Sequence, residues 1–101
     1  MADSAEPRAV RLKRLAMRSQ RRGIREMDLI LGAFAAEAVP ALDPAGLDLY
    51  EALLDENDHD LYAWITARPA AGDAGPERLH PLLDQIAVHA RQRAAGMRPA
   101  G

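Results

Sequence analysis

Apolar residues recur along this chain at helical spacing, in five segments separated by glycine, proline or capping residues. Leu12, Leu15 and Ala16 fall at i, i+3 and i+4, which places them on one face of a helix. That helix is expected from Pro7, suited to a first turn, to Arg22, with Gly23 as a left-handed stop. Arg18, Arg21 and Arg22 then crowd its last turn, where cations complement the helix dipole. A second helix is predicted over 25–38, with Met27, Ile30, Leu31 and Phe34 as its stripe and Glu26 and Asp28 in its first turn. Gly32 weakens it by about 1 kcal/mol relative to alanine, a cost read as room for close helix packing. Pro40 closes it.

The third segment opens with Asp43-Pro44, an N-cap followed by a first-position proline, and carries Leu47, Tyr50, Leu53 and Leu54. The fourth is capped by Asn57 or Asp58, carries Leu61, Trp64 and Ile65, and stops at Pro69. Residues 70–76 read as a loop. The fifth helix is expected over 77–95, with Leu79, Leu82, Leu83, Ile86 and Ala90 on one face and Gly96 and Pro99 beyond it. No segment alternates like a strand, and nothing repeats with a solenoid period. The predicted fold is an all-α, compact five-helix bundle, a single domain over 1–101 with an ordered core over about 8–95 and mobile termini. Trp64 is expected in its core.

Composition narrows the function classes. There is no cysteine, so neither disulfides nor thiol chemistry, and three histidines without cysteine make a structural zinc site a poor fit. No apolar run reaches the ~20 residues needed to span a bilayer. The N-terminus lacks the apolar core of a signal peptide, and Asp3 and Glu6 argue against a transit peptide. The expected compartment is a bacterial cytoplasm. His80 and His89 lack the i, i+4 spacing of a helical metal pair and are expected at the surface. The acidic cluster Asp55, Glu56, Asp58, His59, Asp60 fails the EF-hand template and is read as capping plus solvated charge. No glycine-rich phosphate loop follows a strand, and no nucleophile, base and orienter are grouped. Neither catalysis nor direct cofactor binding is expected.

Net charge is only −2, but the charges are segregated: eight of 13 basic residues lie within 1–25 and 13 of 15 acids within 26–84. A partner could read this asymmetry. Arg11, Arg14, Arg18, Arg21, Arg22 and Arg25 could face phosphates, and a small nucleic-acid-associated or antitoxin-like regulator is the alternative they raise. The same spacing describes the solvated stripe of an amphipathic helix. The second helix, with Leu29-Ile30-Leu31, is too apolar for a DNA groove, so no nucleic-acid partner is expected.

The segment Arg21-Arg22-Gly23-Ile24-Arg25-Glu26-Met27-Asp28 combines a helix end, a turn and a helix start. Capping alone accounts for each residue. The same corner is also sterically open at Gly23, with arginines able to grip carboxylates bidentately and a glutamate able to take a cation.

Arg22-Gly23-x-x-Glu26 resembles the R-G-x-x-E signature of the succinate dehydrogenase FAD assembly factors, the SdhE family. Residues 27–35 are similar to that family's second helix, 47–54 to its third, and Asp60-Leu61-Tyr62-Ala63-Trp64-Ile65 before Pro69 to its fourth. The resemblance implies an assembly factor, or chaperone, that binds the flavoprotein subunit of succinate dehydrogenase and, in some bacteria, that of fumarate reductase. It implies that covalent FAD attachment is promoted on that partner, with no cofactor held stably by this chain. By position it nominates Arg22, Gly23 and Glu26 as partner-binding; Arg21, Arg25 and Asp28 join them by proximity. A monomer without membrane insertion is expected. The Arg-rich first helix and both termini depart from the family pattern.

Overall fold

A computed structural model of the chain describes residues 6–68, 70 and 72–96. The expected mobility of the termini and the stop at Pro69 fall largely or wholly outside these residues. Five helices follow one another: α1 (Arg8–Ser19), α2 (Arg25–Glu37), α3 (Pro44–Leu54), α4 (Asp58–Ala67) and α5 (His80–Gly96). Short 3₁₀ turns at Val39–Ala41 and Glu77–Leu79 introduce α3 and α5. No strand occurs among the described residues.

Local chemistry explains most boundaries. Asp43 caps α3 by accepting from the Gly46 N–H at 2.7 Å, with Pro44 at the first position. Asn57, not Asp58, caps α4: its Oδ1 accepts from the N–H groups of His59 and Asp60 at 2.9 and 3.2 Å. Pro40 lies within the 3₁₀ turn that ends the α2 path and buries Val39. Two expectations about the first corner are corrected. Helix α1 ends at Ser19, three residues before Arg22, because Arg22 is drawn inward. Nor is Gly23 a left-handed stop: among the described residues, Gly75 is the glycine with positive φ, at 87°.

Helix α2 is central, packing against α1, α4 and α5. Its Met27, Leu31, Phe34 and Ala35 join Leu15, Leu47, Tyr50, Leu53, Leu61, Leu83 and Ile86 in one buried cluster. Each large side chain placed there contributes roughly 1.5–3 kcal/mol. Trp64 differs from expectation. It is only partly buried, packed over Gly75, where an added Cβ would lie 2.9 Å from its ring. On α5 the face turns toward Ala87, which is buried, rather than Ala90. His80 and His89 are half-buried, not surface residues. His80 bonds the Gly75 carbonyl at 2.9 Å, while His89 meets Glu37 at 2.8 Å and stands edge-on to Phe34. Buried Arg68, at the end of α4, donates to the Gly72 carbonyl and lies 3.3 Å from Asp84 on α5.

The segregated charges meet across α1 and α3. Arg11 pairs with Asp48 at 2.6 Å and Glu51 at 3.1 Å, Arg14 with Glu51 at 2.8 Å, and Arg18 with Asp55 at 2.8 Å. Both series ascend together, so the two helices run in the same direction along this seam. Arg14 also holds Glu6, and Arg8 donates to the carbonyls of Pro40 and Leu42. Arg11, Arg14 and Arg18 are therefore not a solvated face, while Arg21 and Arg25 of the same stripe stay exposed. Hydrogen bonds from Arg14, aided by Arg11, hold the Glu51 carboxyl below the usual carboxylate range against the opposing effect of burial.

Candidate docking corner

The sequence around Gly23 folds into a corner that is locked on its inner side and open on its outer side. The backbone turns after Ser19, and the Arg22 N–H donates to Asp28 Oδ1 at 2.6 Å. Asp28, in the first turn of α2, thereby ties the entering chain to the helix it precedes.

The Arg22 guanidinium points inward, and its side chain is only 9% exposed. Nη1 donates to the Leu54 carbonyl at 2.9 Å and Nη2 to the Glu56 carbonyl at 3.1 Å. Carbonyls at a helix C-terminus lack intrahelical donors and carry the negative end of the dipole, so an arginine from elsewhere in the chain suits them. Nε donates to Asp58 Oδ1 at 2.6 Å. The other Asp58 oxygen accepts the Gly23 N–H. Because Asn57 already caps α4, the Asp58 carboxylate is free to receive both donors. A Cβ at position 23 would stand 2.8 Å from Asp58 Oδ2. Any larger residue here would displace that carboxylate, so glycine is favoured by close approach and not by backbone dihedral.

The six residues singled out from sequence thus divide. Arg22 and Asp28 are engaged inside the fold, which corrects the reading of Arg22 as an arginine free to grip a partner. Arg21, Arg25 and Glu26 are exposed, and their side chains make no hydrogen bond or ion pair among the described residues. Gly23 is exposed as well, so the backbone is accessible between them. The corner offers two cations and one anion on a fixed frame, suited to recognising a surface of mixed charge. Sequence reasoning missed Asp58, 35 residues from Gly23. Its one signal was redundancy, since Asn57 beside it suffices as a cap. The reading of the acidic run as capping plus solvated charge is corrected at Asp55 and Asp58, which take arginines from the first helix and corner, while Asp60 stays exposed in the first turn of α4.

Fold and corner together define a class: a small helical bundle presenting a fixed charged turn. More specifically, the chain belongs to the family described as the flavinator of succinate dehydrogenase (Sdh5), whose sequence model matches residues 13–90. Similar proteins include the mitochondrial succinate dehydrogenase assembly factor 2 of Meyerozyma guilliermondii, 43% identical over 63 residues, which cover 62% of this chain and 47% of that protein. The Candida glabrata protein of the same name is 47% identical over 53 residues, covering 52% and 35% respectively. That of Saccharomyces cerevisiae is 41% identical over 61 residues, covering 60% and 38%. The matched stretch spans less than half the length of these relatives. They correct the expected compartment: all three are named as mitochondrial proteins and come from fungi, so they point to a mitochondrion rather than a bacterial cytoplasm. No helix among the described residues is long and apolar enough to cross a membrane.

Proposed function

We propose that this protein is an assembly factor for succinate dehydrogenase, acting on its flavoprotein subunit and promoting covalent attachment of FAD there. The observation that carries the reading is the corner at Gly23, which exposes Arg21, Arg25 and Glu26 on a turn locked by Arg22 and Asp58. Membership of the flavinator family supports it, as do the names of the similar proteins. The chain contributes no catalytic group and holds no FAD of its own. It binds a flavoprotein intermediate more tightly when FAD and its acceptor side chain are aligned, and shifts the population by that difference in affinity. Alignment then lowers the barrier to bond formation on the partner.

Incubating the apo flavoprotein subunit with FAD, with and without this chain, tests the proposal. Covalent flavin is read by fluorescence of the denatured subunit. More covalent flavin is expected with the chain, and equal yield would end the proposal. Glu26→Ala should fold as the parent does, since an exposed first-turn acid is worth only about 0.3–1 kcal/mol. It should nevertheless lower the yield.

A further inference from the structure

The Arg-rich first helix is left unused by the corner. One side of α1 is buried around Leu15 and Ser19. A second side, Arg11, Arg14 and Arg18, is joined to the acids of α3 and the link after it. A third side faces outward. Val10 and Met17, at i and i+7, are 53% and 44% exposed there. They line a shallow groove of about 490 Å³ together with Lys13, Arg14, Arg18, Arg21 and Arg22.

Single exposed apolar residues need no explanation. Here two are stacked two turns apart in one groove, beside two cations that no carboxylate of the described residues holds. Lys13 and Arg21 make no ion pair among the described residues, whereas Arg11, Arg14, Arg18 and Arg22 all do. The acids of this chain neutralise the inner edge of α1 and leave its outer edge positive. Arg21 belongs both to this groove and to the open corner, so the two surfaces are continuous.

We propose that the outward face of α1 and the turn after it, built from Val10, Lys13, Met17 and Arg21, is a second docking strip, which takes an acidic segment bearing apolar side chains on the flavoprotein partner. The proposal rests on the assembly-factor reading and extends its contact surface from the corner along roughly 10 Å of helix, from Met17 back to Val10 at about 1.5 Å per residue. A protein segment fits better than a lipid surface. Interfacial helices insert a broad apolar face, while this one offers two side chains of moderate size, and the Arg14 and Arg18 heads are held by carboxylates of the same molecule. Opposite charge at such a rim speeds encounter, and the apolar pair supplies residence time.

The test compares the parent chain with the double variant Lys13→Glu/Met17→Asp, both positions exposed, for binding to the apo flavoprotein subunit across a salt series. The variant is expected to bind about tenfold or more weakly, and to lose the parent's decline of association rate with salt. Urea unfolding confirms that it stays folded. Should it melt early, Val10→Asp alone reads the same loss. Parent and variant binding equally would overturn the strip while leaving the assembly-factor reading intact. A parent chain that neither binds nor promotes flavin attachment overturns both. Binding of the parent to vesicles of phosphatidylglycerol, lost in the variant while flavoprotein binding is unchanged, would assign the strip to a membrane and overturn the proposal.

Discussion

Arg22, Gly23 and Asp58 behave as one unit, and substitutions there should not be additive. Asp58→Ala leaves a nearly buried guanidinium without its carboxylate, a change that costs about 3–5 kcal/mol. Gly23→Ala pushes the same carboxylate away, since the new Cβ would otherwise stand 2.8 Å from it. Urea unfolding should show both variants destabilised and the double variant losing less than the sum, because each strikes the same contact. Tyr50 is a second informative residue. Ser19 Oγ donates its proton to the Leu15 carbonyl at 2.8 Å, so the Tyr50 hydroxyl, 2.6 Å away, donates to Ser19. Burial pushes the Tyr50 phenol up to about 12. A pKa raised in the folded state contributes stability that is complete below pH ~10 and lost as pH climbs through ~12, in all about 2–3 kcal/mol. In a Tyr62→Phe variant the remaining phenol should titrate near that value by its near-ultraviolet absorbance; an ordinary midpoint would show the site to be open.

At the scale of elements, boundaries marked by a residue's own capping chemistry were legible. Asp43 caps α3 as read, Asn57 is the one of two candidates that caps α4, and the stripe Leu47, Tyr50, Leu53, Leu54 is the buried face of α3. The end of α1 was not legible, because the force that turns Arg22 inward comes from Leu54, Glu56 and Asp58, more than 30 residues on. Trp64 misled for a related reason: size suggested the core, yet Gly75 supplies a flat seat at its edge. Gly32 was read as a site of close helix approach. Its missing Cβ would meet only the Gln20 side chain, at 3.4 Å, so its helix penalty is largely unnecessary. Gly32→Ala should stabilise the bundle by about 0.5–1 kcal/mol, seen as a rise of a few degrees in Tm; a fall would mean that Gln20 cannot yield.

Across the whole molecule, charge segregation serves assembly of the bundle before it serves any partner. Exposed pairs contribute only about 0.2–1 kcal/mol each, but Glu51 is shared by Arg11 and Arg14 and half-buried between them. Its lowered pKa sets the sign of an acid effect. The stability it contributes is present above its ordinary value of 4.5 and lost as pH falls below that, through the depressed folded value. Acid unfolding followed by circular dichroism should therefore be shifted toward neutral pH in Arg14→Gln. An unshifted curve would remove Glu51 from the seam's stability. The same neutralisation concentrates uncompensated positive charge at Lys13, Arg21 and Arg25, which is where docking is proposed.

By itself the sequence determined the helical class, four of the five helix starts to within a residue, most of the core, and the corner at Arg22 to Glu26. These depend on periodicity and on caps that act within a turn of chain. Only the tertiary structure decided which charges of that corner face outward. Arg22 has the same local setting as Arg21 and Arg25, and nothing within a few residues separates them. What separates them is Asp58 and the last carbonyls of α3, brought to Gly23 by the packing of helices distant in sequence.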